Sequence, residues 1–184
     1  MARVLVPLAQ GCEELEAVTV IDLLRRAQIE VVTAGLTDGP VRGSRDTVLV
    51  PDTVLEAVMD QDFDMIVLPG GLPGARNLDE DERVHRLLRH YRENQRFTAA
   101  ICAAPKVLAN AGLLDGKSAT SYPGAVTPED FPKVDLIDTP VVVDGKVITS
   151  RGAGTAMDFA LQLIELLAGK AKRDQVEAAL VRGS

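Results

Sequence analysis

Short apolar runs alternate with longer amphipathic stretches along this chain, and that alternation leaves few folds open. The segments "VLVPLA" (4–9), "IEVVTAG" (29–35), "FDMIVLPG" (63–70) and "FTAAIC" (97–102) are apolar and end in Gly, Pro or small residues. Continuous apolar runs of that length suit strands buried on both faces. Between them, "EELEAVTVIDLLRRA" (13–27) and "DERVHRLLRHYRENQ" (81–95) repeat their apolar residues at helical spacing. Strand–helix–strand repetition of this kind predicts an α/β fold: a mostly parallel sheet with helices on both faces, joined by right-handed crossovers.

Two stretches depart from the rhythm. "VRGSRDTVLVPD" (41–52) and "TPVVVDGKVITS" (139–150) read as hairpin or edge-strand material, the second turning at Asp144-Gly145. The chain closes with two helical segments, 154–169 and 170–180, and Thr155 followed by Asp158 fits a capping box at the start of the first. No repeat, low-complexity tract or linker interrupts residues 1–184, so a single domain is expected.

In the first helix, steps of about 100° place Ala17, Val20, Leu24 and Ala27 on one face, toward the sheet. Leu15 and Val18 fall on the opposite side beside Asp22, Arg25 and Arg26, as isolated surface residues or as part of a two-fold dimer interface. A net charge of -7 argues against nucleic acid or an anionic membrane as the main partner, and 3% aromatic content leaves few stacking platforms. No segment approaches the roughly 18–20 apolar residues of a membrane span. The N-terminus reads as a strand rather than a secretory signal. Two cysteines make no disulfide framework, and a reducing cytoplasm is the expected setting.

Ligands of open parallel sheets bind outside the carboxyl ends of the strands. Four features fall there: "AQGCEELE", "LPGGLPGARN", "ICAAP" and "SRGAGT". Cys102 stands where a strand gives way to small residues and a helix start. It is either a small buried hydrophobe or a thiol whose pKa is lowered by unpaired N–H groups, and its flanking residues alone leave both readings open. A nucleophile needs a proton partner. His85 and His90, five residues apart in a charged helix, lie on different faces and suit neither a metal nor a triad. Glu13, Glu14 and Glu16 open the first helix at the same sheet edge. By angle Glu14 points sideways, and periodicity does not choose between Glu13 and Glu16. The "PGG" turn (69–71) offers backbone N–H groups to a developing oxyanion, and "GAGT" (152–155) lacks the residues of a phosphate loop and reads as the start of a helix.

Together, "VLPGG", "AAICAAP", "TSRGAGT", the opening "GCEELEAV" and "SRD" (44–46) resemble the ThiJ/PfpI superfamily (the DJ-one family) from end to end, nearest its YajL-like and parkinsonism-associated deglycase branch. The resemblance implies a flavodoxin-like three-layer sandwich, a homodimer and no cofactor or metal. It implies Cys102 as an oxidation-prone nucleophile and Glu16 as its hydrogen-bond partner and proton shuttle. The backbone N–H groups of Gly71 and Ala103 would form an oxyanion site. A neutral carboxyl donating to the sulfur would keep it ionised near pH 7. Tyr122, Arg26 and Arg45 match positions near the pocket, one or both arginines coming across the dimer. Tyr122 stands where some relatives carry histidine. Ala103 stands where the protease-like branch has its histidine, which removes a peptidase's base. Other cysteines of the neuroprotective relatives correspond to Gly43 and Val50. Cys12 reads as a loop thiol, with a resolving role as the alternative.

The activity so implied is cysteine-dependent processing of methylglyoxal, glyoxal or their early adducts on proteins and nucleotides. The alternative, drawn from the same cysteine, is a non-catalytic redox sensor or an oxidation-activated chaperone.

Overall fold

The computed structural model describes residues 1–183. In chain order its elements begin with β1 (Arg3–Leu8), α1 (Glu14–Arg26), β2 (Glu30–Gly35), β3 (Val41–Arg42), β4 (Val48–Leu49) and β5 (Thr53–Val54). A turn of 3₁₀ helix (Leu55–Val58) leads to β6 (Met65–Leu68), α2 (Leu72–Glu80), α3 (Glu82–Glu93), β7 (Phe97–Ile101) and α4 (Pro105–Asn110). There follow β8 (Ser118–Ala119), β9 (Asp135–Leu136), β10 (Val141–Asp144), β11 (Val147–Ser150), α5 (Ala156–Ala168) and α6 (Lys170–Ala179).

Seven strands form one sheet in the order β10-β11-β7-β6-β1-β2-β5, parallel except for β10. The period of two decides what each strand residue covers. Val4, Val6 and Leu8 of β1, Met65 and Val67 of β6, and Ala99 and Ile101 of β7 enter one core, roofed by α1, α5 and α6. Leu5, Ile66, Leu68 and Ala100 enter the other, under α2, α3 and α4. Both faces are therefore apolar, which is why the strands read as continuous hydrophobic runs. The result is the expected flavodoxin-like three-layer sandwich.

From β1 the chain crosses to β2 on one side, then returns to β6 and β7 on the other. Such a reversal opens a crevice at the carboxyl ends of the strands. The loop into α1, the β6–α2 turn and the end of β7 all meet at that edge.

The four long strands, the 139–150 hairpin and the buried face of α1 lie where the sequence predicts them. Ala17, Val20, Leu24 and Ala27 are buried, whereas Leu15 and Val18 are 51% and 44% exposed. The 41–52 stretch is a hairpin outside the main sheet, β3 against β4. Two expectations change. The "LPGGLPGARN" segment continues into α2: Pro73 sits in the first turn, where its missing N–H costs nothing. Asp81 then separates α2 from α3, its side chain accepting from the Arg83 N–H at 3.0 Å. Thr155 does not cap α5. Its hydroxyl accepts from the Gly152 N–H at 3.1 Å and meets Ser150 Oγ at 2.7 Å, closing the turn that precedes the helix.

Candidate active site

Cys102 is the first residue after β7, and its φ of 65° lies in the left-handed region. A side chain there costs on the order of 1 kcal/mol or more and persists only when its surroundings fix it. They do. The Cys102 N–H donates to the Ser150 carbonyl at 3.0 Å, and the Cys102 carbonyl accepts from the Tyr122 N–H at 2.9 Å. Residues 102–104 form a tight turn, and the helix proper starts at Pro105. The sulfur is thereby lifted out of the strand to a half-buried position, as a nucleophile at a strand–helix elbow requires.

Glu16 comes from the first turn of α1 and is completely buried. Periodicity did not separate it from Glu13, but the structure does. Glu13 caps α1, its Oε2 accepting from the Glu16 N–H at 2.9 Å. Glu16 turns inward, where its Oε2 accepts from the Gly70 N–H at 2.9 Å and its Oε1 is buried without a hydrogen-bond partner; Glu16 Oε2 and Cys102 Cβ lie 2.5 and 2.6 Å from the point where a Cβ on Gly70 would stand. Burial above all, with the nearby Glu13 charge, raises the Glu16 pKa to about 7, against the pull of the Cys102 and Gly70 hydrogen bonds.

Gly71 has a φ of 88°, and a Cβ there would stand 2.5 Å from the Gly11 carbonyl oxygen. Its backbone N–H and that of Ala103 act to lower the Cys102 pKa. The loop before α1 is tied to this turn by hydrogen bonds from Glu13 N–H to Gly70 O at 2.9 Å and from Gly74 N–H to Gly11 O at 3.1 Å.

The Cys102 pKa is pushed up to about 12, first by burial and then by the charge and hydrogen bond of Glu16, against the two backbone N–H groups. An ionised Glu16 therefore disfavours a thiolate at Cys102, whereas a neutral Glu16 carboxyl can donate to the sulfur.

Tyr122 is at the pocket mouth: its Cδ2 and the Cys102 Sγ lie 3.7 and 4.0 Å from the point where a Cβ on Gly152 would stand. Arg26 and Arg45 do not join it within the chain. Arg26 lies in the last turn of α1 and pairs with Asp22 at 2.6 Å, while Arg45 donates to the neighbouring Ser44 carbonyl at 3.2 Å. Cys12 is buried, with its thiol pKa raised to about 11 by burial and by Glu14 and Glu13, and both cysteines are free. His85 bonds Asp79 at 3.0 Å, away from the site. Among the described residues no group of three His, Cys, Asp or Glu side chains is placed to hold a metal ion.

Glu14, which its angle on α1 turned sideways, is also buried. Its carboxyl occupies the space that a Cβ on Gly43 would need, and it is buried with neither oxygen bonded; the buried Ser44 hydroxyl is also without a partner. The absence of a side chain at Gly43 was the available signal.

The model of the DJ-1/PfpI family matches residues 2–166. The Drosophila melanogaster protein dj-1beta is 48% identical over 179 residues, 96% of this chain and 95% of its own length. Its crystal structure superposes with a TM-score of 0.94 at 45% identity, covering 100% and 99% of the two chains. A structure of oxidized Toxoplasma gondii DJ-1 gives a TM-score of 0.93 at 38% identity over the full length of both. The Caenorhabditis elegans glutathione-independent glyoxalase DJR-1.2 is 33% identical over 177 residues, 95% of this chain and 92% of its own.

Proposed function

Starting from the fact that this chain belongs to the DJ-1/PfpI family, we propose that it is a cysteine-dependent enzyme that converts methylglyoxal or glyoxal, free or as early adducts, to the corresponding hydroxy acid. The observation that carries this reading is the buried Glu16 carboxyl set, at Gly70, beside a cysteine held at a positive-φ elbow. A relative named for glutathione-independent glyoxalase activity supports it.

In this reading Sγ of Cys102 adds to the aldehyde carbon, and the aldehyde oxygen takes up a proton. Glu16, ionised or neutral by turns because its pKa is near 7, removes the hydrogen on that carbon as a proton and returns one to the adjacent carbonyl carbon. The first carbon is oxidised to a thioester while the second is reduced to an alcohol, so no external oxidant enters. Water then cleaves the C–S bond, giving lactate from methylglyoxal or glycolate from glyoxal and restoring the thiol. The Gly71 and Ala103 N–H groups hold the charge that develops on oxygen in the addition and hydrolysis steps. With an adduct, the amine or thiol leaves with a proton before the sulfur bonds the freed aldehyde carbon.

Multiple turnovers of methylglyoxal by the wild type, lost in both Cys102→Ser and Glu16→Gln, are the expected result. A wild type that produces no lactate overturns the reading. A redox-switch role is the second reading, supported by the two N–H groups and Glu16 around the sulfur, which suit a cysteine sulfinate equally well. It is favoured if peroxide induces client-protein binding in a protein without turnover.

The homodimer belongs to the same proposal. Leu15, Val18, Val48 and Val50 are exposed apolar residues near the unpartnered Glu14 and Ser44 side chains, where a second copy would supply both cover and donors. No helix among the described residues is long and apolar enough to cross a membrane, and two free thiols fit a reducing cytoplasm.

A further inference from the structure

Next to the elbow, reached through Ala103, lies a cavity of about 230 Å³ between α2 and α4, lined by Ala75 and Val107. Its near wall is made of the residues adjoining the catalytic donors: Leu72 follows Gly71, and Ala103 itself lines the space. The opposite wall, at Gly124 and Ala125, is joined to the elbow through hydrogen bonds from Ala125 N–H to Tyr122 O and from Tyr122 N–H to Cys102 O, each 2.9 Å. The groove and the elbow thus share Ala103 and the Tyr122 turn.

Its rim carries two cations. Arg76 and Lys106 border it, and neither forms an ion pair or side-chain hydrogen bond among the described residues. The one acid in the lining, Asp79, is engaged by Asn110 Nδ2 at 2.6 Å and His85 Nε2 at 3.0 Å. Two unpaired cations over an apolar floor, in a protein of net charge -7, form a local field that favours a small anion carrying an apolar stem. The volume falls below the roughly 300 Å³ at which pockets begin to hold whole ligands. It admits a fragment of cysteine size and excludes a nucleotide.

We propose that this groove is the leaving-group subsite, and that it selects dicarbonyl adducts of carboxylate-bearing thiols or amines, whose carboxylate pairs with Arg76 and Lys106. The proposal rests on the reading of Cys102 given above and deepens it: the preferred substrate is the adduct rather than the free aldehyde. Methylglyoxal supplies the carbons that change oxidation state, and the groove holds only the group that departs with a proton.

The test compares hemithioacetals of methylglyoxal with mercaptopropionate and with mercaptoethanol, thiols alike in length that differ in the carboxylate, at matched free-aldehyde concentration. Wild type should favour the carboxylate adduct in kcat/KM by about three- to tenfold, the range two exposed ion contacts supply. In the Arg76→Gln/Lys106→Gln variant the ratio should fall to about one. A rate that follows free methylglyoxal alone, or a preference that survives in the variant, overturns the proposal. Binding is read separately from turnover by titrating methylthiopropionate and methylthioethanol into the protein and following amide resonances by NMR. Only the carboxylate should shift Ala103, Val107 and Ala125, and the shifts should vanish in the variant. Absence of those shifts refutes the subsite even if turnover is found. Their presence without turnover sustains the carboxylate site while removing the catalytic reading.

Discussion

Replacing Glu16 by Gln should stabilise the fold at neutral and alkaline pH while abolishing turnover. In the folded protein burial holds the Glu16 pKa at about 7, against an ordinary 4.5. A carboxyl so raised binds its proton more tightly folded than unfolded. Its effect on stability is therefore most favourable below pH 4.5 and is lost as pH rises to about 7, above which a buried charge must be carried. At about 1.4 kcal/mol per pH unit, a gap of about 2.5 units costs wild type roughly 3 kcal/mol across that window. Gln stays neutral, and its side-chain oxygen can still accept from the Gly70 N–H that now reaches Glu16 Oε2 at 2.9 Å. Urea denaturation of both proteins under reducing conditions, at equal concentration and from about pH 4.5 to 8, gives the difference free of groups the two share. The variant should gain roughly 3 kcal/mol relative to wild type between the two ends. A difference that stays flat to within about 1 kcal/mol would refute the buried, proton-holding role assigned to Glu16.

With the Glu16 pKa near 7, kcat/KM for methylglyoxal should rise with pH through about 7 and then level off; a profile flat from pH 5 to 9 contradicts this. Gly70→Ala would set a Cβ 2.5 Å from Glu16 Oε2 and 2.6 Å from Cys102 Cβ. It should destabilise by about 1–3 kcal/mol and lower kcat/KM at least tenfold, and wild-type kinetics in that variant would sink the geometry. Leu15→Asp with Val18→Asp should convert a two-chain species into a monomer in analytical ultracentrifugation; a wild type already monomeric at micromolar concentration removes the dimer.

How much was legible follows from which signals are local. The apolar runs around Val4, Ile66 and Ala99 announce strands because each is buried on both faces, and α1 shows its buried stripe at Ala17, Val20 and Leu24. The four loop motifs point to one sheet edge because parallel topology puts every strand end there. Pro73 and Gly74 hid α2, since residues that punctuate loops are equally at home in a first helical turn. Thr155 looked like a cap because spacing cannot reveal that Gly152 and Ser150 compete for its hydroxyl.

Periodicity alone was enough for a mostly parallel sheet with right-handed crossovers and for the set of residues from which a site could be drawn. The strand order, and the placing of Glu16 beside Cys102 while Glu13 caps α1, came from contacts far apart in the chain. Burial and a neighbour 86 residues away set the pKa values of Glu16 and Cys102, because solvent access and charge act through space.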